Sequence, residues 1–109
     1  MSEFDVFLAD CPARTTLALI GDTWSVVVIM ALGEKPCRYS DLLERIGGIS
    51  KKMLTQTLHR LERNGLVRRD ARTYALTDLG ASLLGLVGAL AEWAQEHTDA
   101  LLGAQGSAA

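Results

Sequence analysis

The sequence predicts a mainly α-helical single domain that carries one small β-hairpin. Apolar residues recur at helical spacing through most of the chain, whereas residues 66–69 and 73–76 read as two short strands bounded by turn residues. The 109 residues, 49% hydrophobic and 22% charged, suit one hydrophobic core. We therefore expect one domain over residues 1–109, with its core at 11–98 and a small polar tail at 103–109 that frays.

Three helices are predicted in the first half of the chain. Residues 14–20 form the first and end at Gly21, and Thr23 is placed to cap the second, over 24–32. Periodicity does not separate a buried helix from a buried strand in this apolar second segment, and we interpret it as a helix. The third helix covers 39–46. The side chains expected to point inward are Leu17, Ile20, Trp24, Leu42, Leu43 and Ile46.

A short glycine turn joins the third helix to a fourth. Residues 47–49 are Gly-Gly-Ile, and Ser50 is a good N-cap for a helix over 51–64 because its hydroxyl accepts a free backbone N–H. At about 100° per residue, leucines at three positions lie within about 60° of one another and form a buried stripe. These are Leu54, Leu58 and Leu61. The opposite face carries Lys52, Gln56, His59 and Arg63. This order is the signature of a helix-turn-helix.

The chain continues as a tight hairpin and a long helix. Residues 70–72 alone join the two strands, and Thr77 is placed to cap a helix over 78–98. Because this helix carries more apolar surface than a small domain can cover, we expect its excess to meet a second subunit. The expected interface residues on this helix are Leu83, Leu86, Leu90 and Trp93.

The charge is distributed unevenly along the chain. The net charge is −2 and the isoelectric point about 5.6, which taken alone argues against a polyanionic partner. Residues 51–72, however, hold seven of the eleven basic residues and two of the thirteen acidic ones, a local charge of +5. Phosphate neutralisation needs this kind of local concentration, although the cations could also simply solvate an exposed helix.

A helix-turn-helix followed by a basic hairpin is the element order of a winged helix-turn-helix and predicts DNA binding. A helix fits the major groove of B-DNA, where Lys52 and Gln56 are the best candidates for base contacts. His59 either joins this face or only fills space. Arg63 belongs to the same outer face. The candidate phosphate contacts are Ser50, Lys51, Thr55, Arg60, Arg68, Arg69 and Arg72. For Arg60, an ion pair with a neighbouring acid is an open alternative.

The same residues resemble the HxlR-type regulators within the MarR-like winged-helix group. The resemblance covers roughly residues 11–97 and rests on CP at 11–12, IGDTW at 20–24, RYSDL at 38–42, GISKKMLTQ at 48–56, LERNGLV at 61–67 and YALTDLG at 74–80. It implies a homodimer that is held by the first and last helices, with Leu17 of the first helix at the interface, and that reads two half-sites of a near-palindromic operator. Family members have a longer, proline-containing wing, so minor-groove contact by this short hairpin is in doubt.

The cysteines and aromatic residues allow two interpretations each. Cys11 and Cys37 lack metal-ligand spacing, so we expect reduced thiols, no metal site and no cofactor. The resemblance makes Cys11 a candidate redox sensor, and Cys37 a weaker one that could resolve an oxidised Cys11. Arg14 favours a reactive thiolate while Asp10 opposes it, so a buried, inert thiol is the alternative. The rings of Trp24, Trp93 and Tyr74 are interpreted as packing residues rather than ligand-stacking ones.

Several functional classes are not expected. The longest uncharged stretches, 23–33 and 79–91, are shorter than the roughly 20 apolar residues that span a bilayer, and the acidic N-terminus does not resemble a secretory signal, which predicts a cytoplasmic protein. The sequence shows neither a nucleophile–base pair nor a phosphate-binding loop, so we do not expect an enzyme. The alternative function is a protein-interaction module that keeps the scaffold without binding DNA. The operator, the direction of regulation and any oxidant or small-molecule effector stay open.

Overall fold

The computed structural model describes residues 4–107, which form six helices and a small antiparallel sheet. The elements in chain order are α1 (Pro12–Ile20), α2 (Thr23–Glu34), β1 (Cys37–Arg38), α3 (Tyr39–Arg45), α4 (Lys51–Arg63), β2 (Val67–Asp70), β3 (Thr73–Leu76), α5 (Asp78–Ala81) and α6 (Leu84–Ser107). The predicted mainly α-helical fold with a small hairpin is confirmed.

Helix α2 is the centre of the core. Its side chains are apolar on every face, as expected for a helix enclosed by other elements, and Val28 and Ile29 are fully buried. The N-cap is Asp22 rather than the predicted Thr23, because the Asp22 carboxylate accepts the backbone N–H of Ser25 at 3.3 Å and Thr23 is already helical. Around α2 pack the buried side chains of Leu42, Ile46, Leu54, Leu58, Leu61, Val67, Tyr74 and Val87.

Helix α1 lies on the outside of this core. It ends as predicted at Gly21, whose N–H donates to the Leu17 carbonyl at 2.8 Å. Ile20 and Trp24 are half-buried against the core, but Leu17 is 53% exposed, so the prediction that it points inward was wrong within one chain. Among the described residues no single helix is long and apolar enough to cross a membrane; α1 and α2 meet that test only as a pair, bent by 67°.

The sheet has three strands in the order β1-β3-β2. The predicted hairpin of β2 and β3 is confirmed, and β1 is an additional strand in a segment that the sequence analysis treated as a loop. Cys37 pairs with Tyr74 and Arg38 with Thr73 in an antiparallel register. A strand of two residues is too short to show alternation, so no periodicity in the sequence could predict it.

The predicted helix over 78–98 is broken into α5 and α6. Thr77 caps α5 as predicted, but Leu83 N–H bonds to the carbonyl three residues back, at Gly80, and this tighter turn redirects the chain into α6. Gly80 is needed here, because a Cβ would lie 2.0 Å from the Leu66 carbonyl oxygen. Residues 103–107, predicted to fray, continue α6, and the last two residues lie outside the described part.

Helix α6 reaches beyond the body of the domain. Its 24 residues correspond to about 36 Å of helix, and its first turns contact α2 through the buried Val87. Further along, Leu90 and Trp93 are 58% and 51% exposed. The radius of gyration, 15.8 Å, therefore exceeds the value of about 13 Å expected for a compact domain of this length.

Candidate nucleic-acid interface

The turn between α3 and α4 determines where α4 begins. Gly48 has a φ of 83°, a conformation that favours glycine, and the adjacent Ile49 is buried and anchors the turn in the core. The hydroxyl of Ser50 then accepts the backbone N–H of Met53 at 3.0 Å. The predicted N-cap is confirmed, and α4 starts where the sequence indicates.

Helix α4 has one buried and one exposed face, as predicted. Leu54, Leu58 and Leu61 are at most 1% exposed. The predicted outer face is exposed along its whole length, from the first turn to the last. Its exposed side chains are Lys51, Lys52, Thr55, Gln56, His59, Glu62 and Arg63. The exposed face is polar and mainly basic, and it presents the amide and ammonium donors that read base edges.

Tyr39, at the start of α3, ties the two helices of the helix-turn-helix together. Its hydroxyl donates to the Lys51 carbonyl at 2.8 Å and lies 3.1 Å from the Thr55 hydroxyl. The Thr55 hydroxyl, predicted to contact phosphate, is thus already engaged within the protein. Sequence reasoning missed this function of Tyr39, because its partners lie 12 and 16 residues away.

Arg60 follows the second of its two predicted alternatives. Its Nη2 lies 2.9 Å from Asp22 Oδ2 and 3.2 Å from the Ser25 hydroxyl, and the ion pair is partly buried. The guanidinium therefore joins α4 to the N-terminus of α2 instead of pointing outward. Among the described residues, its buried Nε has no hydrogen-bond partner.

The hairpin of β2 and β3 has a very short tip. Ala71 and Arg72 alone form the turn, and Ala71 has a φ of 56°, which is unusual for a residue other than glycine. Arg69 donates from Nε to the Ala71 carbonyl at 3.0 Å, and its guanidinium lies 5.7 Å from the centre of the Tyr74 ring. Tyr74 is buried beneath the hairpin as predicted, and Arg68, Arg69 and Arg72 are exposed.

A cleft that the sequence analysis did not predict lies between this hairpin and the start of α3. Its volume is about 440 Å³. It is lined by Arg38, Tyr39, Ser40, Arg69, Arg72 and Tyr74, and we call it the Arg38 cleft. The RYS sequence at 38–40 was noted only as part of a motif, because its place beside the hairpin depends on the unpredicted strand β1.

Both cysteines are buried and neither forms a disulfide. Cys11 is the N-cap residue of α1, and Arg14 donates to the carbonyls of Val6 and Phe7 at 2.6 and 3.3 Å. Arg14 is thus engaged by backbone oxygens. Burial raises the pKa of the Cys37 thiol above its ordinary value, and the carboxylate of Asp41 adds to this shift.

The tryptophans occupy two different environments. Trp24 is partly buried and lines a mainly apolar cavity of about 520 Å³ between α2, α3 and α6. Trp93 is exposed on α6 and stacks on His97 with ring centres 4.4 Å apart. Trp24 therefore packs in the domain as predicted, whereas Trp93 has half its surface uncovered within one chain.

Comparison with known proteins agrees with this geometry. The sequence profile of the HxlR-like helix-turn-helix family matches residues 19–101. The chain belongs to this family. Of its relatives, the HTH-type transcriptional regulator YtfH of Escherichia coli K12 is 37% identical over an alignment that covers 94% of this chain and 86% of YtfH. BH0655 of Halalkalibacterium halodurans, also an HTH-type transcriptional regulator, is 38% identical over 84% of this chain and 88% of its own.

Solved structures of HxlR-like regulators share the fold. The transcriptional regulator YtfH of Salmonella typhimurium superposes with a TM-score of 0.84 at 32% identity over 95% of this chain and 99% of its own. Quinone-bound YodB from B. subtilis superposes with a TM-score of 0.69 at 32% identity, over 77% of this chain and 96% of YodB. The redox regulator HypR in its reduced form superposes with a TM-score of 0.73 at 26% identity, over 84% of this chain and 98% of HypR. The predicted winged helix-turn-helix and the predicted class of DNA-binding transcription regulator are confirmed.

Proposed function

We propose that this HxlR-family regulator binds a near-palindromic operator as a homodimer and reads each half-site with α4. The observation that carries the proposal is the outer face of α4, which is exposed, basic and positioned by the Ser50 cap. Lys52, in the first turn of α4, and Gln56, about one turn later, share that face and are placed to contact base edges. Ser50 and Lys51 lie at the N-terminus of α4, where we expect them to contact backbone phosphates.

The remaining predicted DNA contacts divide into two groups. His59, Arg63, Arg68 and Arg72 are exposed, and we assign them to the DNA-facing surface. The internal bonds of Thr55 and Arg60 make them positioning residues that hold α4 in place for binding. Arg69 has features of both groups. Its Nε donates to the Ala71 carbonyl at the hairpin tip, and its side chain also lines the Arg38 cleft.

An exposed apolar surface supports the homodimer. Leu86, Leu90 and Trp93 lie within about 60° of one another on α6, and we call them the α6 stripe. They are 71%, 58% and 51% exposed, and Leu17 on α1 adds another exposed leucine. Contiguous apolar surface of this kind marks an interaction site in a soluble protein. Leu83, also predicted at the interface, is partly buried in the core and contributes only its remaining surface.

Selection of bound sequences from a random DNA pool tests the function. We expect an enriched site of two inverted half-sites, about 10 base pairs apart, and binding that weakens steeply with salt. Leu90→Glu, which places a charge in the α6 stripe, should yield monomers in sedimentation and lose operator binding, while Leu79→Glu, on exposed α5, serves as the control. If no sequence is enriched and salt has no effect, the chain is instead the protein-interaction module.

We also propose that oxidants or electrophiles act through Cys11. Support comes from the similarity to redox regulator HypR and quinone-bound YodB, and from the place of Cys11 at the N-terminus of α1. Because the thiol is buried, the reaction requires local opening of the N-terminal segment. Diamide or a quinone should release operator DNA from the wild type and not from Cys11→Ser. An unchanged response in Cys11→Ser contradicts the proposal, and a response that is also lost in Cys37→Ser would identify Cys37 as the resolving thiol.

A further inference from the structure

The Arg38 cleft brings together side chains from three separate parts of the chain. Arg38 ends β1, Arg69 lies on β2 and Arg72 is in the turn before β3. The antiparallel pairing of Arg38 with Thr73 places β1 directly beside the hairpin tip. The unpredicted strand thus assembles a basic site that no continuous segment contains.

The three guanidinium groups have no acidic partner. Among residues 4–107 the ion pairs are Arg45–Glu34 and Arg60–Asp22, and both lie outside the cleft. The lining residues include no carboxylate, and the nearby Asp41 accepts the backbone N–H of Arg38. Arg69 is held in place by the Ala71 carbonyl and the Tyr74 ring. Three guanidinium groups among lining residues that include no carboxylate create a local positive potential that attracts an anion.

The cleft is also linked to α4 by a hydrogen bond. Tyr39 lines the cleft, and its hydroxyl donates to the Lys51 carbonyl in the first turn of α4. An anion bound beside Tyr39 would therefore lie next to the residue that positions the start of α4. In a helix-turn-helix, the helix before the reading helix crosses the DNA backbone. The anion that reaches this position is a backbone phosphate.

We propose that the Arg38 cleft binds one phosphate of the operator backbone in each half-site and sets the register of α4 in the major groove. This inference rests on the proposed function of operator binding. The planar guanidinium of Arg38 matches the geometry of a phosphate, Arg72 closes the site from the hairpin, and the exposed Ser40 hydroxyl adds a donor. The short hairpin thus contributes through the backbone rather than through the minor groove.

Salt titration of operator binding tests the proposal with two variants of equal charge. Arg38→Gln removes a cation from the cleft, and Lys35→Gln removes an exposed cation that does not line it. For Arg38→Gln we expect about tenfold weaker binding, equal for operator and random DNA, and a slope of log affinity against log salt that is smaller by about 0.9. Lys35→Gln should keep the wild-type slope. Equal slopes and affinities in the two variants overturn the proposal while leaving operator binding itself intact.

Neutral methylphosphonates placed singly along the operator locate the contact without altering the protein. The wild type should lose affinity at each contacted phosphate, and at one of these positions per half-site Arg38→Gln should lose nothing more. Equal losses in the wild type and Arg38→Gln at every position contradict the proposal. Millimolar inorganic phosphate, added at constant ionic strength, should leave operator binding by the wild type unchanged. If phosphate weakens operator binding by the wild type but not by Arg38→Gln, the cleft binds a free phosphate instead. If the wild type binds no DNA, the proposed function fails as well.

Discussion

Arg60 on α4 and Asp22 at the start of α2 are joined by an ion pair of 2.9 Å across 38 residues of sequence. Asp22 performs two tasks with one oxygen, since its Oδ2 also accepts the N–H of Ser25 and thereby caps α2. The side chains of both partners are slightly more than one-third exposed, so the pair is neither a surface bridge nor a fully buried one. It holds the reading helix against the central helix of the core.

Asp22→Asn separates the two tasks, because asparagine still caps a helix but carries no charge. We expect it to lower the free energy of unfolding by about 1 kcal/mol, and Asp22→Ala, which also loses the cap, by about 2 kcal/mol, measured by urea denaturation. The exposed Glu34–Arg45 pair is the comparison, and Glu34→Gln should cost less than Asp22→Asn. Equal effects of all three substitutions would show that the ion pair does not hold α4.

Tyr39→Phe removes the hydroxyl that joins α3 to α4 while keeping the ring. Since two hydrogen bonds are lost, we expect thermal unfolding to show a destabilisation of about 1 kcal/mol. We also expect weaker operator binding, because α4 loses a contact that fixes its position. Tyr74→Phe is the matched control, because the Tyr74 hydroxyl has no hydrogen bond among the described residues. Similar losses in the two variants would contradict the assigned function of Tyr39.

Ala71→Gly should stabilise the protein. Ala71 has a φ of 56°, which disfavours any side chain, and glycine relieves this strain at some cost in chain entropy. We expect a net gain of about 0.5 kcal/mol in the free energy of unfolding. Ala75→Gly, in the extended β3, should instead destabilise. A loss at both positions would mean that the hairpin tip is not strained.

Base reading by α4 is tested one side chain at a time. Lys52→Ala and Gln56→Ala should each relax the preference at one position of every half-site, by about 1–3 kcal/mol of discrimination. Lys51→Ala, at the start of the helix, should weaken all sequences equally and reduce the salt slope by about one. The readout is sequence enrichment from the random pool. Unchanged preferences in the first two variants would place base recognition elsewhere.

The raised pKa of Cys37 makes stability depend on alkaline pH. The folded protein keeps the thiol proton to a higher pH than the unfolded chain, whose thiol ionises near 8.5, so unfolding releases a proton above about that pH. The free energy of unfolding should therefore fall as pH rises from about 8, by at most about 1.4 kcal/mol per unit. The difference between wild type and Cys37→Ala should show this decline. A difference independent of pH contradicts it.

Local signals in the sequence predict the centre of the interface well. Ser50 and the leucine stripe of α4 depend on neighbours within one or two helical turns, and periodicity and capping rules describe such neighbours directly. The hairpin follows from turn residues in the same way.

The remaining features depend on distant partners. The sequence leaves Arg60 between a phosphate contact and an ion pair, because Asp22 lies on another helix and nothing local indicates that they meet. Strand β1 exists only by pairing with β3, and without it the place of Arg38 beside Arg72 cannot be deduced. The break between α5 and α6 likewise depends on the close approach of Gly80 to Leu66.

In a homodimer, the projecting end of α6 would make the stability and the operator occupancy of the regulator depend on its own concentration. In the homodimer that we propose, this helix, supported by its own chain over only its first turns, would gain its remaining contacts from a second copy, so assembly and folding of this segment would become one equilibrium. Melting temperature should then rise with protein concentration. In the cell, operator occupancy would increase faster than linearly with the number of chains, and modest changes in synthesis would switch the regulated promoter sharply.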